Sequence, residues 1–168
     1  NQTSIQDLVD NLKINRASLY DTYLDKEGLY KQCIYLYRQN IKNKIEEIFA
    51  NETKIKIGFE KFTKYLINEL LSNKNGCLIS NSYAELLPSK NSEIANILDD
   101  TRKIWITMIQ DILKKAEINN ELKKNTDIVN TSYFIYSAIT GTAVISKTKI
   151  NPIQLKKSID FIKISIFN

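Results

Sequence analysis

Apolar residues recur at helical spacing along almost the whole chain. Ile5, Leu8, Val9 and Leu12 fall at offsets of 3, 4 and 7 from the first, the stripe of a short amphipathic helix that Ser4 is placed to cap. After a break at Lys13 and Ile14, a second short helix opens at Asn15 and runs to Thr22, with Leu19 and Tyr23 one turn apart on a shared face. Asp25 is a suitable N-cap for a third helix, Glu27 occupies its positive first turn, and Leu29, Cys33, Leu36 and Tyr37 begin its stripe. Ile41, Ile45, Ile48 and Phe49 carry that stripe to about Asn51. Two short helices around a tight break, followed by a long one, follow helix-turn-helix grammar.

Further on, the spacing predicts a helix from Thr53 to Ser72 with Ile55, Phe59, Phe62, Leu66 and Leu70 inside, ended by the turn residues from Ser72 to Gly76. A short helix from Cys77 to Leu87 is expected to stop at Pro88, and a long one to begin near Ser92. The long one has the cleanest stripe: Ile94, Ile97, Leu98, Thr101, Trp105, Met108, Ile109, Ile112 and Ala116. Glu117 to Thr126 is polar, lacks periodicity and reads as a loop. From Ile128 to Ser146 there are 19 residues without a charge, nearly the length of a membrane span. Asn130, Thr131, Ser132, Ser137, Thr140, Thr142 and Gly141 argue against lipid, so the expectation is a helix buried on several sides. Small residues from Ser137 to Ala143 permit close approach of another helix. The last helix, opened by Asn151 with Pro152 at its first position, offers Leu155, Ile159, Ile162 and Ile166. These two helices, near 127–148 and 152–167, are read as an interface.

Composition narrows the class. The 168 residues allow one compact domain, or one with a small appendage, and 43% apolar content with only 4 Gly and 2 Pro points to an all-α chain. Cys33 and Cys77 show no metal spacing and exclude a disulfide scaffold. With no histidine, triads that need a histidine base cannot be built, so neither an enzyme nor a metal or cofactor site is expected. No secretory leader opens the sequence, and the expected location is the cytoplasm. The net charge, 24 minus 19 or +5, suits an anionic partner. Residues 1–50 nonetheless balance to zero: Lys13, Arg16, Lys26, Lys31, Arg38, Lys42 and Lys44 against Asp7, Asp10, Asp21, Asp25, Glu27, Glu46 and Glu47. Placement can offset this balance, since Lys26 at a helix start and Arg16 at the tip of the second helix can face an anionic partner while the carboxylates face away.

The gapless run Ser4, Leu8, Ile14, Asn15, Ala17, Ser18, Leu19, Tyr20, Tyr23, Lys26, Glu27 and Leu29 resembles the DNA-binding pattern of the TetR/AcrR transcriptional repressors. The chain departs from it at Lys13, where the family favours a turn glycine, and at Thr22, where it favours histidine. Lys13 is therefore expected at positive φ. The resemblance implies a helix-turn-helix DNA-binding domain over 1–44, which includes the start of a connecting helix, and a ligand-binding and dimerisation bundle over 45–168. It also implies a further helix ahead of Thr3. It places the helix from Asn15 to Thr22 in the major groove, with Arg16, Ala17 and Ser18 nearest base edges, and Ser4, Tyr20, Thr22 and Lys26 on phosphates. The partners so implied are operator double-stranded DNA, a second copy of the chain and a small-molecule effector that releases the repressor.

Phe62, Tyr65, Tyr83, Trp105, Met108, Tyr133 and Tyr136 can line an apolar cavity whose hydroxyls orient a ligand, with Glu69, Glu85 and Arg102 as polar anchors if they point inward. The alternative is that these aromatics are plain core. Cys77 follows Gly76 at a helix start, where peptide dipoles can activate a thiol, and Gly76, Cys77 and Leu78 resemble a stretch of one AcrR-like subgroup. A helical carrier or cysteine-based redox sensor without operator binding is the rival function.

Overall fold

The computed structural model describes residues 3–73, 75–86 and 93–168, which form eight α-helices and no strand. They are α1 (Ile5–Leu12), α2 (Arg16–Tyr23), α3 (Lys26–Ala50), α4 (Ile55–Ser72), α5 (Leu78–Leu86), α6 (Glu93–Ile118), α7 (Ile128–Ile145) and α8 (Pro152–Ile166). The expected stop at Pro88 and start near Ser92 lie outside the described residues. The chain divides into two compact units, one up to Asn40 and one from Ile41 to Asn168, so the division falls within α3.

Caps written in the sequence open the helices of the first unit. The Ser4 hydroxyl accepts the Asp7 N–H at 3.0 Å while the Asp7 carboxylate accepts the Ser4 N–H at 2.7 Å, a reciprocal box that holds the Asp7 carboxyl below its usual range. Asn15 accepts the Ala17 N–H at 2.8 Å, and Asp25 accepts the Gly28 N–H at 2.7 Å. Lys13 ends α1 at φ 54, as its position in the family pattern implies. Between α2 and α3 the chain turns through Leu24 at φ 67, ψ −51, where the Asp25 N–H donates to the Tyr23 carbonyl at 2.8 Å: a γ-turn of the rare, strained hand. The same carbonyl passes over Gly28, and a Cβ there would sit 2.0 Å from the Tyr23 oxygen.

The second unit is built around α4, α6, α7 and α8. Leu155, Ile159, Ile162 and Ile166 are buried against Ile55, Phe59 and Ile67 of α4, Leu113 and Ala116 of α6, and Ile135 of α7. This corrects one expectation: the α8 stripe read as an interface is the protomer's own core. Phe59 anchors it, with the Phe62 ring at 6.5 Å and the Phe167 ring at 5.4 Å between centroids. A second expectation is also revised, since α7 is not buried on several sides. Ser132, Ile135, Tyr136, Thr142 and Ala143 face inward, but Val129, Tyr133, Phe134, Ser137, Gly141, Val144 and Ile145 are exposed. By length and apolarity α7 could span a membrane, yet its polar inward face packs against protein.

The polar loop after α6 has a structural task. Leu122 is buried and pairs with Phe167 in an isolated antiparallel bridge. Next to it the Glu121 carboxylate accepts the Ile55 and Lys56 N–H groups at 2.9 and 2.8 Å, capping the start of α4 from 66 residues away where Lys54 supplies no cap. Burial pushes the Glu121 carboxyl up, but these N–H groups and Asn119 outweigh it and hold it below the ordinary 4.5. A depressed carboxyl contributes stability above its unfolded pKa and loses it as pH falls through the folded one. Glu121→Gln is therefore expected to cost about 1–2 kcal/mol near neutrality and progressively less in acid. Urea unfolding across the acid range checks this, and an equal cost at every pH would refute it.

Candidate DNA interface and effector cavity

In the first unit, α2 turns a single side chain inward. Leu19 is 1% exposed, while Arg16, Ala17, Ser18, Tyr20 and Thr22 are all exposed, as are the cap residues Ser4 and Asn15 and the first residue of α3, Lys26. Six of the eight α2 positions are thus exposed for outside contact or for support of such contact, Tyr23 being half-buried. The Arg16 guanidinium lies over the Tyr20 ring, 5.8 Å from its centroid, which restrains a long cation near the helix start. The Thr22 hydroxyl donates to the Ser18 carbonyl at 2.8 Å, so its oxygen is held close to the helix.

Charge within this unit is zero, five cations (Lys13, Arg16, Lys26, Lys31, Arg38) against five carboxylates (Asp7, Asp10, Asp21, Asp25, Glu27). Placement separates them. Asp7 and Asp25 are turned onto backbone N–H groups and Glu27 pairs with Lys31 at 3.3 Å, while Arg16 rests on an aromatic face. An exposed cation with an aromatic stacking partner can present its fork to guanine or phosphate.

The residues suggested for a cavity separate into several places in the second unit. Tyr83 on α5 and Tyr136 on α7 come together, their hydroxyl oxygens 2.8 Å apart, and the Tyr83 hydroxyl also donates to the Leu98 carbonyl of α6 at 3.0 Å. Together with Asp99, Arg102, Ser137 and Thr140 they line a cavity of about 410 Å³. Arg102 is bonded to Asp99 one turn away, and Lys103 reaches the same carboxylate at 2.7 Å, holding the Asp99 carboxyl below its usual range. Burial, before any neighbour, pushes both tyrosines above their ordinary range. Both are neutral phenols at physiological pH.

Trp105 lies beside this pair, its ring centroid 6.3 Å from that of Tyr136, and its indole N–H is buried with no partner among the described residues. Met108 instead lines a groove of about 510 Å³ with Ile45, Phe49 and Ile112. Tyr65 is half-buried under the Lys44 ammonium, 5.8 Å from its ring centroid, and Phe62 packs at the core beside Phe59. Tyr133 is 47% exposed on the outer face of α7 and does not belong to an enclosed wall. Of the three candidate anchors, Arg102 lines the cavity, whereas Glu69 and Glu85 are exposed. Cys77 is half-buried ahead of α5, and Cys33 is exposed on α3. Asp99, Ser137 and Thr140 line the cavity without having been expected there, and the Leu98 carbonyl was not expected to hold Tyr83; neither small hydroxyls, a helix carboxylate nor a backbone carbonyl carries a local signal for a cavity.

No protein-family model matches the chain. The HTH-type transcriptional repressor ComR of Escherichia coli strain K12 is 23% identical over 145 residues, covering 84% of this chain and 69% of ComR. A TetR-family transcriptional regulator from Agrobacterium tumefaciens superimposes over 100% of this chain and 88% of its own, with a TM-score of 0.89 at 14% identity. A cysteine mutant of the TetR-family regulator CifR, solved with double-strand operator DNA, superimposes over 96% of this chain and 85% of its own, with a TM-score of 0.82 at 19% identity. These proteins are transcriptional regulators, not enzymes. In sequence the chain is similar to such a regulator, and its fold is that of the TetR family.

Proposed function

We propose that this protein is a homodimeric repressor that binds operator DNA through α2 and is released by a small molecule held in its second unit. The observation that carries the reading is α2 itself: one buried leucine seats the helix, and Arg16, Ala17, Ser18 and Tyr20 are left facing out at its start. In the major groove Arg16 forms a bidentate pair with guanine, Ala17 or the Ser18 Cβ meets a thymine methyl, and Ser4, Tyr20, Thr22 and Lys26 hold phosphates. CifR, which shares the fold, has been solved on its operator.

A two-fold dimer meets the requirement that recognition helices reach successive major-groove faces roughly 34–36 Å apart. The outer faces of α7 (Val129, Tyr133, Phe134, Val144) and α8 (Ile153, Phe161, Ile164) supply an apolar surface for it. Ser137 and Gly141 lie within the α7 face, and nothing stands within 4 Å of a Cβ built at Gly141, so a partner helix can approach closely there. An effector that favours a dimer with its third helices set apart lowers operator affinity by population shift.

The test is binding of the full-length protein to duplex DNA flanking its own gene, against random duplex, at near-physiological salt. Operator binding at least ~10³-fold tighter is expected, falling steeply with added salt. Arg16→Ala should weaken operator binding roughly 10- to 100-fold and random-DNA binding far less. Equal, weak binding to both duplexes would end the proposal.

A further inference from the structure

The cavity between α5, α6 and α7 has a polarity that can be traced proton by proton. Tyr83 has one hydroxyl proton, and it goes to the Leu98 carbonyl at 3.0 Å. A carbonyl only accepts, so this direction cannot reverse. With the Tyr83 proton so placed, Tyr136 is the donor of the 2.8 Å contact between the two hydroxyls, at which either oxygen is placed to donate. Tyr136 has thereby spent its own proton on Tyr83, and its oxygen, which the Thr140 side chain also reaches, offers the cavity only lone-pair capacity.

The other polar groups leave no unbalanced charge. Asp99 and Arg102, the two ionic side chains of the lining, bond to each other, and Asp99 is further held by Lys103. A charged guest would meet both signs together. The remaining wall is aromatic ring, aliphatic stem and the hydroxyls of Ser137 and Thr140. Resting on the reading of this unit as effector-binding, we propose that the cavity takes small, uncharged, mostly apolar molecules that donate a hydrogen bond to Tyr136, alcohols and phenols, and that Tyr83 is the positioning residue that sets this preference. Tyr83 does so by holding the Tyr136 proton away from the guest.

A chemical consequence separates this from mere packing. In Tyr83→Phe the Tyr136 hydroxyl loses its acceptor and turns its proton into the cavity, so a guest that only accepts should gain. The probes are menthol and menthyl methyl ether, which share one skeleton and differ in the donor. Neither absorbs where tryptophan does, and Trp105, the single tryptophan of the chain, reports occupancy from beside Tyr136. Titrations use the full-length protein without DNA, so their outcome is independent of operator binding.

The wild type is expected to prefer menthol about 10-fold, the effect of one hydrogen bond. In Tyr83→Phe the preference should fall to within about twofold, chiefly through tighter ether binding. Tyr136→Phe should bind both probes alike, and it keeps the test decisive if Tyr83→Phe folds poorly. A preference that persists unchanged in both variants would reflect size alone and would overturn the proposal, as would failure of the wild type to bind menthol.

Discussion

Phe161→Glu, and separately Phe134→Glu, should convert the proposed dimer to a monomer at micromolar concentration. Both phenylalanines are exposed within the chain, at 63% and 50%, so neither supports the fold of the protomer. Burying a phenylalanine is worth about 1.5–3 kcal/mol, and a two-fold interface buries each position twice. Loss of about 3–6 kcal/mol, before the cost of a desolvated carboxylate, raises the dimer dissociation constant roughly 10²- to 10⁴-fold. Sedimentation velocity reads this directly. Operator affinity should fall with it, because a lone subunit loses the second half-site and an avidity of ~10²–10⁴. Helicity and the Trp105 emission should hold, since α4, α6 and α8 keep their mutual core. A variant that stays dimeric with undiminished operator affinity would remove these faces from the interface.

The second large effect is expected at Leu19. An eight-residue helix such as α2 is far below the roughly 12–15 residues at which isolated helices persist, so it exists through what it packs against. That packing is one side chain, 1% exposed. Leu19→Ala removes it at about 2.7–5 kcal/mol, a large share of what a unit ending at Asn40 can hold. Operator binding should vanish although Leu19 itself touches no DNA in the proposed mode. The second unit should be unaffected, and Trp105, which lies within it, gives the control: its emission and the menthol titration should match the wild type. Operator binding within a few-fold of wild type would show that α2 is seated by something other than Leu19.

These expectations rest partly on sequence and partly on what only the fold supplies. The helices were legible because their information is local: apolar steps of three and four, with Ser4, Asn15, Asp25 and Asn151 as caps, place starts to within a residue or two. Lys13 at positive φ was legible through the family pattern. Orientation of an element carrying two apolar faces was not. On α8 the stripe of Leu155, Ile159, Ile162 and Ile166 and the set of Ile153, Phe161 and Ile164 are equally hydrophobic, and only packing against α4 shows which is core. On α7 the lack of charge hides which side is outer, so Tyr133 and Tyr136, three residues apart, could not be told from each other. Long-range pairings left no trace either. Glu121 capping α4, and Tyr83 meeting Tyr136 across 53 residues, depend on which elements the fold brings together.

The turn between α2 and α3 also bears on how genetics would describe this protein. At Gly28 the Tyr23 carbonyl occupies the space of any side chain, so no substitution is conservative there, alanine included. The same oxygen accepts from Asp25 across a strained Leu24, which leaves the carbonyl little freedom to move aside. Under the proposed function, alleles that abolish operator binding would thus collect at Gly28 as densely as at Arg16. A map drawn from such alleles alone would place a glycine that meets no nucleotide inside the DNA-reading surface. What that map would be recording is the angle at which the reading helix is held.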